Sequence, residues 1–258
     1  MNSSEITSGE GSKIALVTGA GSGIGRASSL ALLANGWSVV LAGRRKAALE
    51  ETARLSGDAS SRAVPIPTDI GKPDQVTALF DQIKQRFGRL DFLFNNAGDN
   101  VPSMPIEEIV YEDWLRVVQT NVTGTFLCAQ QAFKLMKTQN PMGGRILNNG
   151  APSAYTPRPD ATTYTVTRHA IAGLTKSLSL DGRKYDIACG QIDVGNVEPP
   201  DGGGQHAAKQ ADGTLAVEPT MDVKYVANTV LMMANMPLDV NVQSIFVMPT
   251  KMPFVGRG

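Results

Sequence analysis

Short apolar runs alternate with amphipathic stretches from Lys13 to the end of the chain. The apolar runs are KIALVTGA, WSVVLAG, AVPIPTD, LDFLFNNAG, GRILNNG, DIACGQIDVG and SIFVMP. Each predicts a short buried strand, although the two prolines of AVPIPTD count against one there. Between them, apolar positions recur with helical period in GIGRASSLALLANG, RKAALEETARLSG and KPDQVTALFDQIKQRFG. The same period runs through a long region from Tyr111 to Lys137, through ATTYTVTRHAIAGLTKSLSLDG and through MDVKYVANTVLMMANM. Gly36 stops the first of these helices, and a proline near the start and a glycine at the end frame the third. Residues 196–220 are rich in Gly, Pro and Asp and predict a mobile loop. Strand and helix in alternation predict a parallel sheet covered on both faces. With right-handed crossovers this is an α/β, doubly wound, Rossmann-like single domain over residues 13–258. Residues 1–12 are polar, lack the basic and apolar regions of a signal peptide, and read as a disordered lead-in.

Composition removes several function classes. Lys and Arg total 24 and Asp and Glu total 24, so the formal net charge is zero. That balance gives no electrostatic case for nucleic acid or an anionic membrane. No apolar run approaches the ~18 residues of a membrane span. Cys128 and Cys189 lie in apolar segments without a CxxC or Cys/His cluster. They read as reduced, buried thiols of a cytoplasmic protein.

The first strand ends in TGAGSGIG, Thr18 to Gly25, which also opens the first helix. Gly19, Gly23 and Gly25 are not spaced as GxGxxG, but they let the backbone turn tightly beside a ligand. Ser22, Gly23, Ile24 and Gly25 then present a helix N-terminus, whose free N–H groups suit a pyrophosphate. The second strand ends in Gly43, Arg44 and Arg45, where an acidic residue would have bound a ribose 2′-hydroxyl. Two cations at a helix start oppose its dipole unless an anion is near. They favour NADP(H) over NAD(H).

Tyr164 and Arg168 stand four apart in YTVTR, so one helix face carries both. A permanent cation there can favour the phenolate of a proton-donating tyrosine. His169 points about 100° away and reads as structural, and His206 falls in the expected loop. Met232, Met233 and Met236 suit core or lid packing, and Trp37 and Trp114 core or interface.

Four motifs in order, TGAGSGIG, NNAG at Asn95 to Gly98, Asn121 in QTNVTGTF and Tyr164 in YTVTR, make the chain resemble the short-chain dehydrogenase/reductase family. The resemblance covers nearly the whole chain. It implies that Asp69, followed by Ile70, binds the adenine amino group, and that Asn96, Ala97 and Gly98 lie along the cofactor. It implies Tyr164 as catalytic acid/base and Asn121 as holder of a relay water. Three positions depart from the family pattern. Arg168 replaces a lysine, Ala151 replaces a serine thirteen residues before the tyrosine, and CGQIDVGNVEPP replaces a Pro-Gly segment and its threonine. A missing oxyanion donor costs on the order of 10²–10³ in rate. Ser153, on the same loop, is the first candidate substitute, ahead of Thr162 and Thr163, although a turn-capping role suits it equally.

The residues therefore leave three readings open. One is an NADP(H)-dependent oxidoreductase acting on a carbonyl, alcohol or imine. Another is a nucleotide-binding homologue with little redox activity, serving as sensor, scaffold or quiet subunit. The last is a pocket repurposed for a non-redox step. Residues 100–104, 152–159 and 196–220 are expected to line the substrate pocket. The apolar surplus of the two long helical regions, with the family's habit, implies a homodimer or homotetramer.

Overall fold

The computed structural model describes residues 12–198 and 207–255. The elements run β1 (Ile14–Thr18), α1 (Gly23–Ala34), β2 (Ser38–Gly43), α2 (Lys46–Leu55), β3 (Ala63–Pro67), α3 (Pro73–Phe87), β4 (Phe92–Asn95) and α4 (Tyr111–Val118). They continue with α5 (Thr125–Thr138), β5 (Gly144–Gly150), α6 (Thr162–Gly182), β6 (Ile187–Val194), β7 (Ala207–Lys209), β8 (Leu215–Val217), α7 (Val223–Asn235) and β9 (Ser244–Val247). Seven strands form one parallel sheet in the order β3-β2-β1-β4-β5-β6-β9.

Strand alternation divides the core into two layers. Ile14 and Leu16 of β1 pack on one face with Leu79, Phe80 and Ile83 of α3 and with Cys128, Ala132 and Met136 of α5. Ala15 and Val17 face the other side, with Leu32 and Leu33 of α1 and with Val226, Val230 and Met233 of α7. Burial on both faces is why these strands read as continuous apolar runs. The expected buried thiols are found, and burial pushes both Cys128 and Cys189 up to about 12. Strand order reverses at β1, between β2 and β4, and opens a crevice at the carboxyl ends of the strands.

One expected strand forms despite its prolines, and two stretches depart from the sequence reading. β3 does form, because it is an edge strand with β2 as its single neighbour, where Pro65 and Pro67 interrupt no second ladder. The region from Tyr111 to Lys137 is not one regular helix: Gln119–Gly124 forms a π-helical turn between α4 and α5. The stretch expected as loop ends in an antiparallel hairpin, β7 with β8, turned at Gly213 (φ 86°). Val197 also bridges Met221 in parallel. His206, the first part of that loop after Glu198 and the lead-in before Ser12 lie outside the described residues.

Candidate active site

The crevice holds two adjoining cavities. The first, ≈ 250 Å³, lies over the ends of β1, β2 and β4 and is walled by Gly19, Ser22, Arg44, Arg45, Asp69, Ile70, Asn96, Ala97 and Gly98. Its floor is a turn that needs glycine. Gly19 has φ +69°, and a Cβ on Gly25 would come 2.2 Å from the Gly19 carbonyl oxygen. The Thr18 hydroxyl accepts from the backbone N–H groups of Asn96 and Ala97 at 2.9 and 3.0 Å. The Asn96 amide returns a bond to the Thr18 carbonyl at 2.9 Å. These bonds lock the glycine turn to the NNAG segment.

Gly23, Ile24 and Gly25 form the first turn of α1 behind that floor, and the Ser22 side chain makes no capping bond. An open, uncapped helix N-terminus under a cavity favours an anion. Arg44 and Arg45 are exposed at the mouth. Neither takes part in the ion pairs of the described residues. The Asp69 carboxylate accepts from the Gly71 N–H at 3.0 Å and stands at the opposite wall. Glycines for close approach, an uncapped helix start and two cations fit a dinucleotide.

The second cavity, ≈ 280 Å³, is lined by residues 100–104, Ala151, Ser153, Thr156, Arg158, Thr163, Tyr164, Asn196 and Met252. Tyr164 and Arg168 project from the same side of α6, with the guanidinium carbon 4.7 Å from the phenol ring centroid. Arg168 Nη1 donates to the Asn149 carbonyl at 2.6 Å, while its Nε is buried without a partner. A Cβ on Gly98 would come 3.4 Å from Arg168 Nη2, so Arg168 reaches the border of the first cavity. Arginine therefore lies against the ring face rather than ending in a compact ammonium. Ala151 is buried, 2 % exposed, and carries no hydroxyl. Ser153 shares the cavity wall with Tyr164, and the Thr163 hydroxyl is buried and unpartnered.

Asn121, the expected holder of a relay water, bonds to the protein itself. It sits in the π-helical turn, and its amide accepts from the Asp99 N–H at 2.7 Å and donates to the Asp99 carbonyl at 2.9 Å. A third contact reaches the Thr167 hydroxyl at 3.4 Å. The side chain clamps the NNAG segment to the helices and is not among the cavity-lining residues. His169 is exposed, and its Nδ1 lies 2.9 Å from the Thr165 carbonyl oxygen.

Residues 13–210 match the family described as short chain dehydrogenase. The chain belongs to that family. The short-chain dehydrogenase is 34 % identical over 188 residues to a 3beta-hydroxysteroid dehydrogenase of Mediterraneibacter gnavus, covering 73 % of this chain and 67 % of the relative. It is 32 % identical over 237 residues to an uncharacterized oxidoreductase of Staphylococcus aureus, covering 92 % and 97 %. Among solved structures it resembles a 3-ketoacyl-(acyl-carrier-protein) reductase of Brucella melitensis complexed with NADH. The TM-score there is 0.80 at 26 % identity, over 91 % of this chain and 96 % of that one. An actinorhodin polyketide ketoreductase with NADPH gives 0.80 at 26 %, over 92 % and 96 %. The chain is thus an oxidoreductase of the short-chain dehydrogenase type.

The sequence reading missed several residues. Asn149 anchors Arg168 and donates to Asn96 at 3.0 Å, joining the two cavities. Arg158 lies in a stretch expected to line the pocket, but its ion pair with the buried Glu218 and its bond to Asn196 at 3.1 Å had no signal in the sequence. Met252 reaches the second cavity from beyond β9. Asp193 is buried in β6, and its acidic letter in the apolar run DIACGQIDVG was the one visible signal.

Proposed function

We propose that this short-chain dehydrogenase is an NADP(H)-dependent oxidoreductase acting on the carbonyl, alcohol or imine of a small molecule. The carrying observation is the stacked Tyr164–Arg168 pair at the border of a glycine-floored cavity bearing two exposed arginines. Relatives and neighbours named as dehydrogenases, a reductase and a ketoreductase support the reaction class. Neighbours bound to NADH or NADPH support a nicotinamide dinucleotide. Arg44 and Arg45 are the argument for the phosphorylated form.

The dinucleotide, when bound, supplies or accepts the hydride. The helix start at Ser22, Gly23, Ile24 and Gly25 holds its pyrophosphate, Arg44 and Arg45 its 2′-phosphate, and Asp69 with Ile70 the adenine side. Tyr164 donates the proton to the substrate oxygen or nitrogen from its hydroxyl. Arg168, fixed by the Asn149 carbonyl, lends the phenol a permanent positive field. Since Ala151 offers no hydroxyl, Ser153 is the donor that meets the developing oxyanion. Asn121 positions the segment beside the cofactor through Asp99. The residues 100–104 and 152–159 select the substrate.

Replacement of Tyr164 by Phe tests the reading. NADPH consumption on a carbonyl and imine panel should fall by about 10²–10⁴-fold, the usual worth of a positioned proton donor. Binding of NADPH, followed by calorimetry, should stay within about twofold. A wild-type protein that binds NADPH and consumes none across the panel would overturn the oxidoreductase assignment of this pocket.

A further inference from the structure

We propose that Asp193, set in place by Gln191, is a positioning residue that anchors the loop of Ala151 to Tyr155 and thereby holds the Ser153 wall of the substrate cavity. The kinetic consequence rests on the reading of Tyr164 as proton donor; the anchoring does not.

Asp193 is 0 % exposed near the carboxyl end of β6, immediately before cavity residues Val194 and Gly195. A carboxylate without water needs donors. Gln191 Nε2 donates to Oδ1 at 2.6 Å, and the Ser244 hydroxyl of β9 to Oδ2 at 3.1 Å. From the loop itself the Tyr155 hydroxyl reaches Oδ2 at 3.5 Å, and the Ala151 backbone N–H faces the carboxylate. The loop backbone lies directly on the carboxylate. A Cβ on Gly150 would meet Asp193 Oδ1 at 2.2 Å and Gln191 Nε2 at 2.5 Å, so glycine is required for this close approach.

Gln191 is itself oriented from α6, on the same face of the sheet. Its Oε1 lies 3.2 Å from the Thr175 hydroxyl of α6, to which Asn148 of β5 donates at 2.9 Å. Asn95 of β4 donates in turn to Asn148 at 3.0 Å. A polar chain therefore runs across three strands and ends at the loop. Tyr155 closes the outer side, its ring 4.9 Å from that of Phe246, which lies 5.1 Å from Phe254. An apolar residue in β6 would keep the sheet without this cost. What the carboxylate adds is a fixed seat for the segment on which Ser153 stands.

The test compares wild type with Asp193→Ala, Asp193→Asn and the exchanged pair Gln191→Glu/Asp193→Asn. Hydrogen exchange of residues 151–156 is measured with NADPH affinity, kcat and KM on whichever panel substrate the wild type turns over. In Asp193→Ala, exchange in that loop should speed by about tenfold or more and NADPH affinity should hold. kcat should fall by on the order of 10²-fold, the scale of a small misplacement. The exchanged pair restores donor facing acceptor and should recover loop protection and most of kcat. If Asp193→Ala does not fold, the exchanged pair and Gly150→Ala, which pushes on the carboxylate from the loop side, carry the comparison. Unchanged loop exchange, or loss of protection spread evenly over the chain, would overturn the anchor. So would a loosened loop with kcat intact. A wild type inactive on every panel member would sink the Tyr164 reading alone, since the exchange measurement still decides the anchor.

Discussion

Tyr164 and Arg168 form a pair in which charge is kept while shape changes. A lysine ammonium is a compact donor on a flexible stem, whereas the guanidinium spreads its charge over a plane and stacks on the ring. Arg168→Lys therefore keeps the field and alters where the hydrogen bonds go, and the bond to the Asn149 carbonyl is the first expected to be lost. Ala151→Ser returns a hydroxyl to the cavity wall and should raise turnover of a carbonyl substrate by up to about 10²-fold, measured as NADPH consumption. Asp193 makes a separate prediction about stability. Burial raises its pKa above the ordinary aspartate value, outweighing the donors that lower it. The folded state thus favours its protonated form. Its contribution is greatest below the unfolded pKa of about 3.9 and declines as pH rises through the raised value. The ionisable group in contact with it is the Tyr155 phenol. Asp193→Asn should lose that decline, so the variant should gain stability relative to wild type as pH rises above about 3.9 in urea titrations.

At the level of elements, the π-helical turn between α4 and α5 is what turns Asn121 toward Asp99. A regular α-helix through Gln119–Gly124 would shift every following side chain round the axis. The β7–β8 hairpin is fastened to the cavity wall at two points: Lys209 pairs with Asp160 at 2.7 Å, and Glu218, which accepts from Gln210 at 3.1 Å, pairs with Arg158. Asp160 is a non-glycine residue at φ 59°, and its carbonyl accepts from the Met104 N–H on the facing wall at 3.0 Å. The α2 start supplies the cofactor prediction. Arg44→Ala/Arg45→Ala should weaken NADPH by about tenfold or more and NADH far less, as read by calorimetric titration. In the core, Leu79 of α3 is 0 % exposed among β-strand side chains. Leu79→Ala should cost about 2–5 kcal/mol in chemical denaturation, from lost burial plus the cavity left behind.

For the whole molecule, the surface left by one copy is the informative part. Leu115 of α4, Phe126 of α5 and Leu180 of α6 are exposed by 45 %, 46 % and 61 %. Apolar side chains exposed on three helices are surface that association would cover. Sedimentation at micromolar concentration should give a dimer or tetramer, and Phe126→Glu should shift the distribution toward monomer. A wild-type monomer would contradict this. No helix of the described residues is long and apolar enough to cross a membrane.

Much of this was legible in letters alone because it depends on local spacing. Continuous apolar runs marked the strands and helical periodicity the helices, the glycine loop marked the floor of the first cavity, and a four-residue interval placed Arg168 beside Tyr164. Asn121 was visible as a motif residue, but its partner Asp99 lies 22 positions away and was not. Gln191, Thr175, Asn148 and Asn95 look like unrelated polar residues until four elements meet. Contacts between distant positions have no period to betray them. The sheet order alone decided that Asp193 would lie beneath Ala151, because β6 pairs with β5 and brings Asp193 level with Gly150.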